Sequence, residues 1–150
     1  MSLPSSSPSN QKTIWTNGTF DVLHAGHIEL FRQARKLAGP SGRVIVGTDS
    51  DERVRELKGP TRPINNLIDR VDFLRAIKYI DGVVVFSSAD ELEVHIKQFS
   101  PDILLVGNDY VDKPVVGAQY AKKVVFIPRY GGLSSSKIIN GDSIYGYEDN

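Results

Sequence analysis

Apolar positions along this chain come in short continuous runs, separated by stretches with helical spacing. Residues 13–16, 43–48, 83–86, 103–106 and 124–127 form the runs. Several are apolar at nearly every position, as expected of parallel strands covered on both faces. Between the runs the period lengthens to that of a helix. Ile28, Phe31, Ala34 and Leu37 fall on one stripe, with Glu29, Arg32, Gln33 and Lys36 off it. Leu67, Val71, Leu74 and Ile77, continued to Lys78, predict a second helix. Leu92, Ile96 and Phe99 predict a third, stopped by Ser100-Pro101. Such alternation predicts an α/β fold with a doubly wound parallel sheet. Ligands of these sheets gather at the carboxyl ends of the strands, so the loops there should carry function.

Composition narrows the field. The 150 residues suit one domain of ordinary size. Eighteen Lys and Arg balance eighteen Asp and Glu, leaving no general basic footprint, so no nucleic-acid partner is expected. With no cysteine, disulfides, thiolate zinc sites and thiol nucleophiles are excluded. No apolar run approaches the roughly 20 residues of a membrane span, so no membrane partner is expected either. Residues 1–10 are rich in Ser and Pro and lack the features of a secretory signal, which predicts a cytoplasmic protein. Residues 1–11 read as a disordered leader, 12–144 as the domain and 145–150 as a loose tail.

The loop after the first predicted strand runs from Asn17 through Gly18, Thr19, Phe20 and Asp21 to His24, Gly26 and His27, where a helix begins. Two imidazoles three residues apart at a helix start can face one ligand together. Backbone N–H groups and the helix dipole favour an anion there, and Gly18 and Gly26 clear side chains from its path. Three readings compete: two surface histidines, a metal pair, or a pair of donors to a phosphate. The metal reading is poorly supplied, since His95 lies on a distant predicted helix and cysteine is missing. The string Gly-Thr-Phe-Asp-x-x-His-x-Gly-His resembles the signature of the HxGH nucleotidyltransferases, in their cytidylyltransferase-like branch. The resemblance implies a Rossmann-like sheet of about five parallel strands.

A second stretch, Arg129-Tyr130-Gly131-Gly132-Leu133-Ser134-Ser135-Ser136, follows the last predicted strand. Three hydroxyls after a glycine pair suit a helix N-cap, and the same geometry binds phosphate. It is similar to the Gly-Ile-Ser-Thr-Thr/Ser-x-Ile motif of the same superfamily. Between the two motifs, Leu57-Lys58-Gly59-Pro60-Thr61-Arg62-Pro63-Ile64-Asn65 precedes Arg70. On their own these cations read as solvated surface charges or as a cluster that neutralises a triphosphate. The segment resembles the adenylyltransferase domain of bifunctional ADP-heptose synthases, a likeness that continues through Gly107-Asn108-Asp109-Tyr110. Two departures stand out. Val106 replaces a lysine usual in that family, and Arg129 before Gly131 looks instead like glycerol-3-phosphate cytidylyltransferases.

The resemblance implies transfer of a nucleoside monophosphate from an NTP to a sugar phosphate, with release of pyrophosphate. CTP with a polyol phosphate such as glycerol phosphate is the alternative, and a non-catalytic nucleotide-binding module is the rival from another class. His24 and His27 would donate to phosphate oxygens, Lys58 would bridge acceptor and nucleotide phosphates, and Arg129 with Ser134, Ser135 and Ser136 would hold the leaving phosphates. Gly18, Thr19, Phe20 and Gly26 would line the phosphate site, while Gly107, Asn108 and Asp109 would meet ribose or base. Arg62 and Arg70 are expected at the substrate. Mg²⁺ is expected on the triphosphate itself, with few protein ligands; Asp21 is a candidate to approach it, and a backbone-capping role suits Asp21 equally. A homodimer is also implied.

Overall fold

A computed structural model describes residues 11–107 and 112–128. The leader up to residue 10, the tail, and the expected site residues Asn108, Asp109, Arg129, Ser134, Ser135 and Ser136 lie outside the described residues. The described chain runs β1 (Thr13–Gly18), α1 (Ala25–Ala38), β2 (Arg43–Asp49), α2 (Asp51–Lys58), α3 (Leu67–Arg75), β3 (Gly82–Phe86), α4 (Ala89–Phe99), β4 (Ile103–Gly107) and β5 (Lys123–Ile127), with a single 3-10 turn at Ala118–Tyr120. The five strands are all parallel in the order β3-β2-β1-β4-β5, so the chain reverses its progress across the sheet between β1 and β4. This is the Rossmann-like sheet expected, and the reversal marks the crevice where such sheets bind ligands.

Alternation within the apolar runs builds two cores, one on each face. Ile14, Val44, Val46, Ile103 and Leu105 pack with Phe31, Ala34 and Leu74 from α1 and α3. Their neighbours Trp15, Ile45 and Leu104 point the other way, against Leu92 and Ile96 of α4. Gly47 in β2 is needed for close approach, because a Cβ there would sit 2.7 Å from Cζ2 of the buried Trp15. Helix starts are capped by Ser50, Asn66 and Ser88, whose side chains accept backbone N–H bonds from Arg53, Asp69 and Glu91.

Two expectations need correction. The second helical stripe was expected to reach Lys78, but α3 ends at Arg75 with Ala76 as its C-cap. Helix α2 was not anticipated. Its sequence, Asp-Glu-Arg-Val-Arg-Glu-Leu-Lys, buries only Val54, so it offers no apolar stripe to read. Among the described residues no helix is long and apolar enough to cross a membrane.

Candidate active site

The β1–α1 loop is folded tightly around one aromatic ring. Phe20 adopts a left-handed φ of 49° and is buried, with its ring beneath Gly18, where a Cβ would lie 3.1 Å from the ring edge. The same ring meets His27 edge-on at 5.3 Å and packs on Phe31 at 5.3 Å. His24 is the N-cap of α1. Its Nδ1 accepts the N–H of Gly26 at 3.1 Å, while Nδ1 of His27 accepts the N–H of His24 at 3.2 Å. The two rings stack with centroids 3.8 Å apart. Because both Nδ1 atoms accept, each neutral ring carries its proton on Nε2, at the edge away from the cap. Burial, reinforced by the adjacent His24 charge, pushes the His27 pKa down to about 3, so this ring is neutral at physiological pH. With its Nδ1 committed, His27 therefore presents a neutral Nε2–H donor at a helix start that already favours anions.

Asp21 is bound to the segment before α3. Its carboxylate accepts the backbone N–H groups of Ile64 and Asn65 at 2.8 to 3.0 Å and pairs with Arg62 Nε at 3.0 Å. Burial alone would raise its pKa, yet those two N–H groups together with Arg62 outweigh it and hold the carboxyl below the usual range. This geometry is that of the capping reading of Asp21. No group of three or more His, Asp or Glu able to hold a metal occurs among the described residues.

Arg70 also departs from expectation. It has no exposed surface, and its guanidinium is consumed by the Thr19 and Asn65 carbonyls, the Thr48 hydroxyl and the Asp51 carboxylate. It ties the β1–α1 loop, β2, α2 and the segment before α3 together. Arg62 is different. Its side chain is 10% exposed, and its Nη2 is buried without a partner, the one such side-chain nitrogen or oxygen among the described residues. Buried donors are almost always satisfied, and this guanidinium nitrogen is the exception among the described residues.

At the carboxyl ends of the strands lies a cleft of about 410 Å³. Asn17, Gly18 and Thr19 form its β1 side and Val106 and Gly107 its β4 side, so it opens at the reversal of the sheet. Phe86, Leu92, Leu105 and Val115 give it an apolar wall. Lys58, at the end of α2, stands on the lining, exposed and without an ion pair to the described residues. Of the expected residues, the structure thus gathers Gly18, Thr19, Lys58 and Gly107 on one cleft. His27 stands one ring away, through Phe20 and Gly18.

The comparison with known proteins decides the family. The cytidylyltransferase-like family profile matches residues 15–141. The chain belongs to the cytidylyltransferase-like family. It is 41% identical over 132 residues to the bifunctional protein HldE of Campylobacter fetus, covering 88% of this chain and 28% of that protein. The bifunctional protein HldE of Helicobacter hepaticus is 44% identical over 128 residues, covering 85% of this chain and 26% of that protein. The chain thus spans little more than a quarter of the length of these relatives. Among solved structures, a lipopolysaccharide core biosynthesis protein from Thermoplasma volcanium superposes with a TM-score of 0.65 over 80% of this chain and 98% of that one, at 24% identity, which supports the fold. These findings make the chain a nucleotidyltransferase.

Sequence reasoning missed Asp49 and Arg53. Both line the cleft, where Asp49 accepts the Thr19 hydroxyl at 3.0 Å and pairs with Arg53 at 3.1 Å. The available signal was an acid at the end of a strand run, directly before the Ser50 cap. It was hidden because α2 itself was not recognised.

Proposed function

We propose that this nucleotidyltransferase moves a nucleoside monophosphate from ATP to a sugar phosphate. An anionic oxygen of the acceptor phosphate attacks the α-phosphorus in line. The bond from that phosphorus to the bridging oxygen breaks, and pyrophosphate leaves with the electron pair. The acceptor oxygen is already charged at neutral pH, so no general base is needed and catalysis is positioning plus charge stabilisation. Mg²⁺ carried by the triphosphate would supply further charge neutralisation.

One observation carries this reading: the stacked His24–His27 pair, with both Nδ1 atoms committed to the helix cap. Neutral Nε2–H donors suit a phosphate whose charge grows during transfer. Lys58 is the cation between acceptor and nucleotide phosphates. Arg62 is kept as a second cation at the acceptor, on the strength of its unpaired Nη2. Gly107 with Asn108 and Asp109 is assigned to ribose or base, and Arg129 with Ser134, Ser135 and Ser136 to the leaving phosphates. ATP and a sugar acceptor are preferred because the 57–65 segment and the HldE relatives agree. The reading carries with it a cytoplasmic homodimer.

The test is pyrophosphate release with Mg²⁺, crossing ATP and CTP against heptose 1-phosphate, mannose 1-phosphate and glycerol 3-phosphate. Turnover with ATP and a sugar phosphate is expected. Turnover only with CTP and glycerol phosphate would replace both substrates. Saturable nucleotide binding with no pyrophosphate from any pair would leave a binding module.

A further inference from the structure

The cleft has a polar wall whose chemistry the phosphate machinery does not use. Asp49 and Arg53 stand on it side by side, with side chains 8% and 21% exposed. Among the described residues the Asp49 carboxylate receives the Thr19 hydroxyl on one oxygen and Arg53 Nε on the other, and nothing else. An ionised carboxylate offers about four acceptor positions, so roughly half remain. Arg53 spends Nε alone, and its two terminal nitrogens make no hydrogen bond among the described residues. Neither residue has a buried unpaired atom, so the unused positions are those open to solvent.

This array has a particular partner. Each sugar hydroxyl both donates and accepts, so neighbouring hydroxyls can donate to Asp49 while accepting from Arg53. The ion pair is neutral overall, so the uncompensated positive charge on the lining is that of Lys58. Beside the pair, Phe86, the register partner of Asp49 on β3, and Leu92 and Leu105 give the same cleft an apolar lining. The volume, about 410 Å³, is in the range of small-molecule sites. Thr19 links the array to the reaction, since its hydroxyl holds Asp49 while its carbonyl is held by Arg70 and the Thr48 hydroxyl.

We infer that the Asp49–Arg53 pair selects the acceptor, reading adjacent hydroxyls of a sugar phosphate in this cleft. The inference rests on the sugar-phosphate reading above and names the residues that enforce it. A polyol phosphate with fewer hydroxyls leaves the pair partly unsatisfied and is discriminated against.

Steady-state kinetics of wild type, Asp49→Asn and Arg53→Gln with Mg²⁺, varying ATP and the acceptor in turn, test it using heptose 1-phosphate, mannose 1-phosphate and glycerol 3-phosphate. The variants should raise KM for the sugar phosphates about 10-fold or more, leave KM for ATP unchanged, and lower the preference for sugar over glycerol phosphate. Arg53→Lys, which keeps the charge but not the fork, should recover only part of the loss. A purely structural pair would instead shift the ATP and acceptor constants together with the melting temperature, and that result overturns the inference alone. Wild type that releases no pyrophosphate with either sugar phosphate overturns both the inference and the reading beneath it.

Discussion

His27 holds the backbone N–H of His24 with its Nδ1 at 3.2 Å, and the two rings stack at 3.8 Å. The helix cap and the donor pair are thus one object: the bonds that start α1 also fix which ring nitrogen carries the proton. Replacing His27 by alanine removes one donor and one cap bond. The cap should cost about 1 kcal/mol in denaturant unfolding. Losing a transition-state donor should cost about 10²-fold or more in kcat. A folded His27→Ala protein with wild-type turnover would take the rings out of the chemistry.

The protonation of His27 gives a stability signature that does not depend on knowing the substrate. Its folded pKa, about 3, lies below the ordinary 6.5, so below pH 6.5 the unfolded chain binds the proton more readily. Its contribution to stability is therefore complete above about pH 6.5 and is lost progressively as the pH falls towards 3. The slope from this one group is at most about 1.4 kcal/mol per pH unit. Asp21, also depressed, acts in the same direction but only below the ordinary carboxylate pKa of 3.8. Urea midpoints between pH 7.5 and 4.5 isolate His27. His27→Gln should flatten that slope, and identical slopes in both proteins would mean the ring is not held neutral.

Arg70 distinguishes a buried tie from a substrate contact. Arg70→Met preserves bulk but takes its donors from the Asn65 carbonyl and the Asp51 carboxylate and leaves the Thr19 carbonyl to the Thr48 hydroxyl alone. An acceptor stripped of its donor costs on the order of 1–3 kcal/mol, so with two of them a loss of about 3 kcal/mol is expected in chemical denaturation. Nucleotide affinity should weaken as well, because the Thr19 backbone is no longer pinned. A variant of unchanged stability with only a raised KM would restore Arg70 to the substrate.

The five strands could be read from sequence because parallel strands between helix layers are apolar on both faces, as Ile14 and Trp15 illustrate by packing on opposite sides. The histidine pair was legible because its spacing is local. What escaped depends on distant partners. Arg70 looks like any exposed helix cation until the β1–α1 loop and α2 close over it. Asp21 looks like a metal candidate until the 64–65 backbone occupies its carboxylate. Asp49 and Arg53 become a pair only when α2 exists, and α2 is nearly invisible because it buries a single side chain.

Lys58 offers the cleanest separation of function from folding. It is exposed at the end of α2, next to the left-handed Gly59, and makes no ion pair with the described residues. A charge in that position contributes little to the folded state, and Lys58→Ala should change unfolding stability by less than about 0.5 kcal/mol. Its value lies in the cleft, where one ammonium can offset two phosphates as they approach. Their repulsion is greatest when the acceptor oxygen nears the α-phosphorus, so the loss should fall on kcat more than on either KM. A fall of about 10²-fold in kcat at unchanged unfolding midpoint is the expected outcome. If KM for the acceptor rises while kcat holds, Lys58 merely docks the phosphate, and the charge that steadies the transfer must come from another group.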